Sequence, residues 1–225
     1  MPFKGHFKER ANSVLNRHDP HNIVVSGVGG QGNILIARLL GRLFAIKGYQ
    51  VSIAETFGAA QRGGSVFSSL RISKKKTGGP LIPFGRADII IGIEPLETLR
   101  MLKYFGNPNV STFTNDKPVY PIGVLRGNDR YPSTGKLKAA LKTLSKNLLI
   151  IPATEAALEC GGAIMANIVM LGALAGSELL LLPKEDIIAE VKESVPADKV
   201  SMNLKAFEMG FELSQRSSVK HLCPS

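Results

Sequence analysis

Ile23-Val24-Val25-Ser26-Gly27-Val28-Gly29-Gly30-Gln31-Gly32-Asn33-Ile34-Leu35 passes from an apolar run into a glycine loop and on into an amphipathic stretch. This is the order strand, tight loop, helix. Gly27 permits the sharp turn, Gly29 lets a ligand approach the backbone, and Gly32 lets the helix start pack close to the strand. Gly30 and Gln31 complete the loop. N–H groups of the first helical turn, with the positive end of the helix dipole, would then face an anion. A glycine turn that merely joins a strand to a helix reads the same way, so the loop alone names no ligand.

Outward from the loop, Asn33 to Gly48 predicts a helix with Ile34, Leu35, Leu39, Leu43 and Ile46 facing inward and Arg38 and Arg42 on one outer stripe. Val51–Ala54 reads as a second strand ending at Glu55. Val66–Ile72 alternates as a third, and the continuous apolar run 87–94 is a strand covered on both faces. Pro95 opens a helix over Leu96–Phe105. Val110–Phe113 and Leu148–Ile151 are further strands, and 116–135 is a long connection. Ala163–Ala175, Lys184–Val195 and Met202–Ser214 are helices. Strands alternating with helices give an α/β layered domain whose sheet is mainly parallel, with room for mixed pairing, flanked by helices and Rossmann-like at its start. The expected organisation is an N-terminal extension at 1–20, one domain at 21–215 and a C-terminal tail at 216–225.

Composition supports one well-packed domain. The chain has 225 residues, of which 44% are hydrophobic and 20% charged, enough to build a core and to exclude wholesale disorder. Lys and Arg outnumber Asp and Glu by 28 to 18, which favours anionic partners. Nucleic acid is disfavoured, because aromatics are 6% of the chain and basic residues are not interleaved with stacking rings. Lys74-Lys75-Lys76 before Thr77-Gly78-Gly79 reads as a solvated loop tip. Two cysteines, Cys160 and Cys223, cannot by themselves hold an iron–sulfur cluster or a structural zinc ion, and they suit a reducing cytoplasm. The first residues lack the apolar core of a signal peptide, and the apolar stretch from Ala156 to Leu182 is broken by Glu159, Asn167 and Glu178. A soluble, cytoplasmic protein is expected.

Several residues could carry chemistry. Glu55 lies 23 positions beyond Gly32, near where a dinucleotide fold places the carboxylate for an adenosine ribose. It equally suits the end of an edge strand. Gln61-Arg62-Gly63-Gly64-Ser65 sets a forked cation beside exposed backbone N–H groups, a receiver for carboxylate or phosphate. Arg62 could instead pin the loop to Glu55 or Glu94. Asp88 and Glu94, six apart, point to one face of a strand. Asn167 sits in an apolar helix and needs a partner there. Cys160 has no neighbouring base and reads as a small hydrophobe. All four histidines lie near the termini, and neither a Ser–His–Asp arrangement nor a metal-ligand spacing emerges.

Taken together, Val28-Gly-Gly-Gln-Gly32, Glu55-Thr-Phe-Gly-Ala-Ala-Gln-Arg-Gly-Gly64-Ser-Val, Pro80-Leu-Ile-Pro83, Ala87-Asp88 and Glu94-Pro95 resemble the gamma subunit or domain of 2-oxoacid:ferredoxin oxidoreductases. Asn115 with Pro118, and Ala166-Asn-Ile-Val-Met-Leu-Gly-Ala-Leu174, extend the likeness over about 22–212. Among its branches, Ala-Ala-Gln-Arg-Gly-Gly-Ser-Val looks most like the beta subunit of indolepyruvate oxidoreductase. The resemblance implies a complex that oxidatively decarboxylates a 2-oxoacid to acyl-CoA and CO2, using thiamine diphosphate, Mg2+, coenzyme A and iron–sulfur clusters, with ferredoxin as acceptor. This chain lacks the Gly-Asp-Gly segment and following Asn that present Mg2+ to thiamine diphosphate, and it has too few cysteines for the electron path. Those parts would sit on a larger partner subunit, and this chain alone would be inactive. No catalytic residue and no metal ligand is assigned to it. The resemblance makes Gly27, Gly29, Gly30, Gln31, Gly32, Arg62, Gly63 and Gly64 the expected ligand-binding positions, with Glu55, Glu94, Asn115 and Asn167 as a polar rim. Two other readings compete: a stand-alone Rossmann-type oxidoreductase binding NAD or a flavin through the glycine loop and Glu55, and a basic interaction module.

Overall fold

The computed structural model describes residues 18–55, 64–75, 78–120, 122–128, 130–180 and 182–220. Strand β1 (His21–Val28) is buried along its whole length, as an internal strand must be. Its side chains divide by period two: Ile23 and Val25 join one hydrophobic cluster, while Val24 joins another on the opposite face. Strand β4 (Ile89–Gly92) repeats the division, with Ile89 and Ile91 on the first face and Ile90 on the second. These two clusters are the two cores of a three-layer domain.

Helix α1 (Asn33–Ile46) packs on the first face through Ile36, Ala37, Leu39, Leu40, Leu43 and Phe44. This stripe is rotated from the expected one, and Ile34 and Ile46 are exposed instead. On the second face lies α2 (Pro95–Phe105), burying Thr98, Met101, Leu102 and Phe105 at i, i+3, i+4, i+7. It is joined there by α3 (Thr134–Leu144) through Leu137 and Leu141. Helix α3 was not foreseen within or beyond the 116–135 connection: only two of its residues are buried, too few for a visible periodicity. The rest of that connection holds a single helical turn at Ile122–Leu125.

Four more helices complete the first face: α4 (Ala153–Glu159), α5 (Ala166–Gly176), α6 (Lys184–Ser194) and α7 (Val200–Lys220). Helix α7 continues past residue 215, the expected edge of the domain. Helices α5 and α7 meet at their backbones. A methyl group on Gly172 would overlap the Phe207 carbonyl, one on Gly210 the Val169 carbonyl, and one on Gly176 would lie 2.6 Å from the Phe211 carbonyl oxygen. Only glycine permits that approach. No helix among the described residues is long and apolar enough to cross a membrane.

The remaining strands are β2 (Gln50–Glu55), β3 (Ser65–Ser73), β5 (Ser111–Asn115) and β6 (Asn147–Ile151), and the sheet order is β2-β3-β1-β4-β5-β6. β1, β4, β5 and β6 pair in parallel, whereas β3 runs antiparallel to both β1 and β2. The fold is therefore mixed α/β. In a dinucleotide fold the second strand would lie directly beside the first; here β3 comes between them. The carboxyl ends of β1, β2, β4, β5 and β6, together with the start of β3, share one edge of the sheet.

Candidate functional site

Ligands of open α/β sheets bind beyond the carboxyl ends of the strands, and the glycine loop is there. Gly30 (φ 97°) and Gly32 (φ 82°) take the left-handed conformation that side chains resist. Gly27 is required for space: an added methyl would lie 2.6 Å from Gln31 Oε1 and 2.8 Å from Asn33 Oδ1. The loop consumes part of its own donor set. Val28 N–H donates to Gln31 Oε1 at 2.7 Å, and Gly29 N–H to the Gly64 carbonyl at 2.9 Å. Helix α1 begins without a side-chain cap and without an acidic residue in its first turn, so its opening N–H groups and dipole remain for an anion.

Two amides brace this start. Asn33, buried, donates from Nδ2 to the Val66 carbonyl at 3.2 Å, tying the helix to β3, and its Oδ1 is buried without a partner. Asn167, also buried, lies against Gly32, where a methyl group would overlap its amide; its Oδ1 accepts from Ile168 N–H at 2.7 Å. The glycine loops at 27–32 and around Gly64 thus come together, and Asn167 joins them. Arg62 and Gly63 lie outside the described residues. Asn33 was missed by sequence reading; its signal was an amide directly behind Gly32.

Glu55 is at the same edge but two strands from β1. Its carboxylate takes Arg38 Nε at 3.3 Å and is itself largely covered. Its spacing from Gly32 suggested a ribose ligand, but interposed β3 and the Arg38 pairing remove it from that role. Asp88 and Glu94 do not share a rim either: β4 separates them, and they sit at opposite edges of the sheet.

Glu94 caps α2, accepting from Glu97 N–H at 2.8 Å, and is almost fully buried. Its other oxygen accepts a short hydrogen bond from the Tyr131 hydroxyl. Burial pushes the Glu94 carboxyl above its usual range, and neighbouring Glu97 adds to the rise. Burial, with the Glu94 bond, likewise drives the Tyr131 phenol upward. Asn115 closes β5: its Nδ2 donates to Ile93 O at 3.2 Å and Thr154 Oγ1 at 2.8 Å, while its Oδ1 accepts from Asp116 and Thr154 N–H groups. It staples the ends of β4, β5 and α4 together. Tyr131 and Thr154 had no sequence signal, because their partners are distant in the chain.

The crevice between Asn115, Pro95, Tyr131 and Leu137 encloses about 10 Å3, room for at most one water. It cannot take an organic substrate. Glu55 is committed to Arg38 and Glu94 to Tyr131 and a helix cap, which leaves the buried, unpartnered Oδ1 of Asp116 without a second free carboxylate from that pair, a poor set for the Mg2+ of a diphosphate. Cys160 is buried with its thiol 3.2 Å from Met209 Sδ, and burial pushes its pKa up. It does not fit a cluster ligand. The uncapped start of α1 beside two glycine loops does fit a phosphate or carboxylate.

A family model described as pyruvate ferredoxin/flavodoxin oxidoreductase matches residues 22–213. The chain is 35% identical to the indolepyruvate oxidoreductase subunit IorB of Pyrococcus horikoshii, over 87% of this chain and 96% of that one. It is 29% identical to the 2-oxoglutarate synthase subunit KorC of Methanocaldococcus jannaschii, over 86% of this chain and 93% of the relative. Among solved structures, the gamma subunit of a keto/oxoacid ferredoxin oxidoreductase from Geobacter sulfurreducens superposes with a TM-score of 0.65 at 24% identity, covering 88% of this chain and 98% of that one. That likeness establishes the fold.

Proposed function

The chain belongs to the pyruvate ferredoxin/flavodoxin oxidoreductase family, and we propose that it is the subunit without thiamine or iron–sulfur clusters of a 2-oxoacid:ferredoxin oxidoreductase acting on indolepyruvate or a related aryl pyruvate. The observation that carries this reading is the 35% identity to an indolepyruvate oxidoreductase subunit along nearly its whole length. In the reaction, a 2-oxoacid and coenzyme A give acyl-CoA and CO2, and two electrons pass to ferredoxin. A larger partner would hold thiamine diphosphate with its Mg2+, which would supply the electron sink for decarboxylation, and the clusters that would carry the electrons. This chain's own part is to wall the reaction from water and to offer an anion receiver. The Gly27–Gly32 loop, uncapped α1, Arg62, Gly63 and Gly64 would take a phosphate of coenzyme A or the substrate carboxylate. Glu94 and Asn115 position the strand ends behind it.

The test is co-purification with the product of the neighbouring reading frame, followed by coenzyme A-dependent viologen reduction. Indolepyruvate should be turned over in preference to pyruvate and 2-oxoglutarate. A complex that prefers 2-oxoglutarate would overturn the aryl substrate, and a chain that binds no thiamine-bearing partner would overturn the subunit role.

A further inference from the structure

At the edge of the sheet opposite the glycine loops, a cleft of about 520 Å3 is bounded by the chain around His18, Asn22, Arg71, Arg86 and Asp88. His18 and Asp88 line it, and buried His21 meets them from behind, each of the three presenting a ligand atom within 4.8 Å of the others. We propose that these three residues bind a divalent transition-metal ion of the zinc class, leaving one coordination position open to the cleft.

The three donors are of the right kind. Two imidazoles and one carboxylate form a set that suits zinc, cobalt or nickel rather than magnesium or calcium. His18 Nε2 lies 2.7 Å from Asp88 Oδ1, and His21 Nδ1 lies 3.4 Å from Asp88 Oδ2. Donors around a tetrahedral zinc ion are separated by about 3.3 Å, given bonds near 2.0 Å. Small rotations of the exposed His18 side chain would reach that spacing.

His21 supplies an independent indication. Its side chain is 9% exposed, and Nδ1 is buried without a hydrogen-bond partner while directed at the Asp88 carboxylate. An unpaired ring nitrogen in such a place costs stability unless something occupies it.

The support behind the ligands is already built. Asn22 N–H donates to Asp88 Oδ2 at 2.7 Å, and Asp88 N–H returns a bond to the Asn22 carbonyl at 2.9 Å, so the carboxylate is fixed to β1. Arg71 is drawn off the site, giving Nε to Asn22 Oδ1 and Nη1 to the Gly79 carbonyl. With Arg71 and Arg86 lining the same cleft, charge alone would not gather cations there. Selection would rest on imidazole affinity.

Sequence spacing could not reveal this, because Asp88 is remote from His18 and His21 in the chain. The test uses the full chain, stripped with a chelator and titrated with Co2+ and then Zn2+. One Co2+ per chain should bind, with visible absorption of the intensity expected for four-coordinate cobalt and displacement by Zn2+; Mg2+ and Ca2+ should neither bind nor displace it. His18→Ala, His21→Ala and Asp88→Asn should each weaken binding by about tenfold or more, whereas His6→Ala with His221→Ala should leave it intact. His18 has a 53% exposed side chain, so its variant keeps the fold and is decisive. Absence of stoichiometric binding, undiminished affinity in His18→Ala, or loss of binding in the His6/His221 pair would each overturn the site.

Discussion

Gly29 N–H and the Gly64 carbonyl oxygen are joined at 2.9 Å, so the end of β1 and the start of β3 form one backbone-bonded unit.

Arg62 precedes that unit by two residues. Arg62→Ala is expected to raise the KM for coenzyme A in the assembled complex about tenfold or more, the size of a lost charge-assisted hydrogen bond, while subunit assembly is retained. Steady-state kinetics beside size-exclusion of the complex measure both. Unchanged kinetics in an intact complex would remove the loop from coenzyme A binding.

Gly32→Ala should destabilise the chain by about 1–3 kcal/mol, from left-handed backbone strain and overlap with Asn167. The double variant Gly32→Ala with Asn167→Ala should lose less than the sum of the single changes, because the second removes the obstructing amide. Urea denaturation of the four proteins closes the cycle; strict additivity would show that the overlap is relieved elsewhere.

Glu94 makes stability depend on pH. Its folded carboxyl pKa is raised above the ordinary value of 4.5, so its contribution is complete below that pH and declines as pH rises through the folded value. Glu94→Gln has no proton to lose. Relative to the parent, its stability should improve from pH 4.5 to pH 8, as read from denaturant midpoints; a flat difference across that range would refute it.

Tyr131→Phe leaves Glu94 Oε1 buried without its donor and should cost about 1–3 kcal/mol. The same change should raise the Glu94 pKa further, because the Tyr131 hydrogen bond pulls it down against the larger upward push of burial. Thermal unfolding and carboxyl titration by NMR check the two parts separately.

NADH should not bind. The Glu55 carboxylate faces Arg38 and stands two strands from β1; fluorescence titration with micromolar NADH should give no saturable change, and saturable binding would restore the dinucleotide reading.

What the chain revealed in advance follows from which signals are local. The β1–loop–α1 unit was legible because apolar run, glycines and helical periodicity are adjacent. β4 was legible because Ile89–Ile91 form an unbroken apolar run. The antiparallel course of β3 was not, since pairing direction depends on a nine-residue strand's partners rather than its own sequence. The inward face of α1 was misplaced for a related reason: Ile34 and Ile46 are apolar yet exposed, and the sheet, with α6 and α5 packed beside it, decides which stripe is covered. Within the site, Gly27 to Gly32 could be read from conformation alone. Tyr131 with Glu94, and Asn115 with Thr154, are contacts made by the fold.

The glycine contacts between α5 and α7 leave no side-chain layer to absorb relative sliding. Those two helices behave as one beam, and its near end is Asn167, resting on Gly32. The seam between the two helices and the support beneath the glycine loop are thus one continuous packed contact, from Gly176 to Gly32.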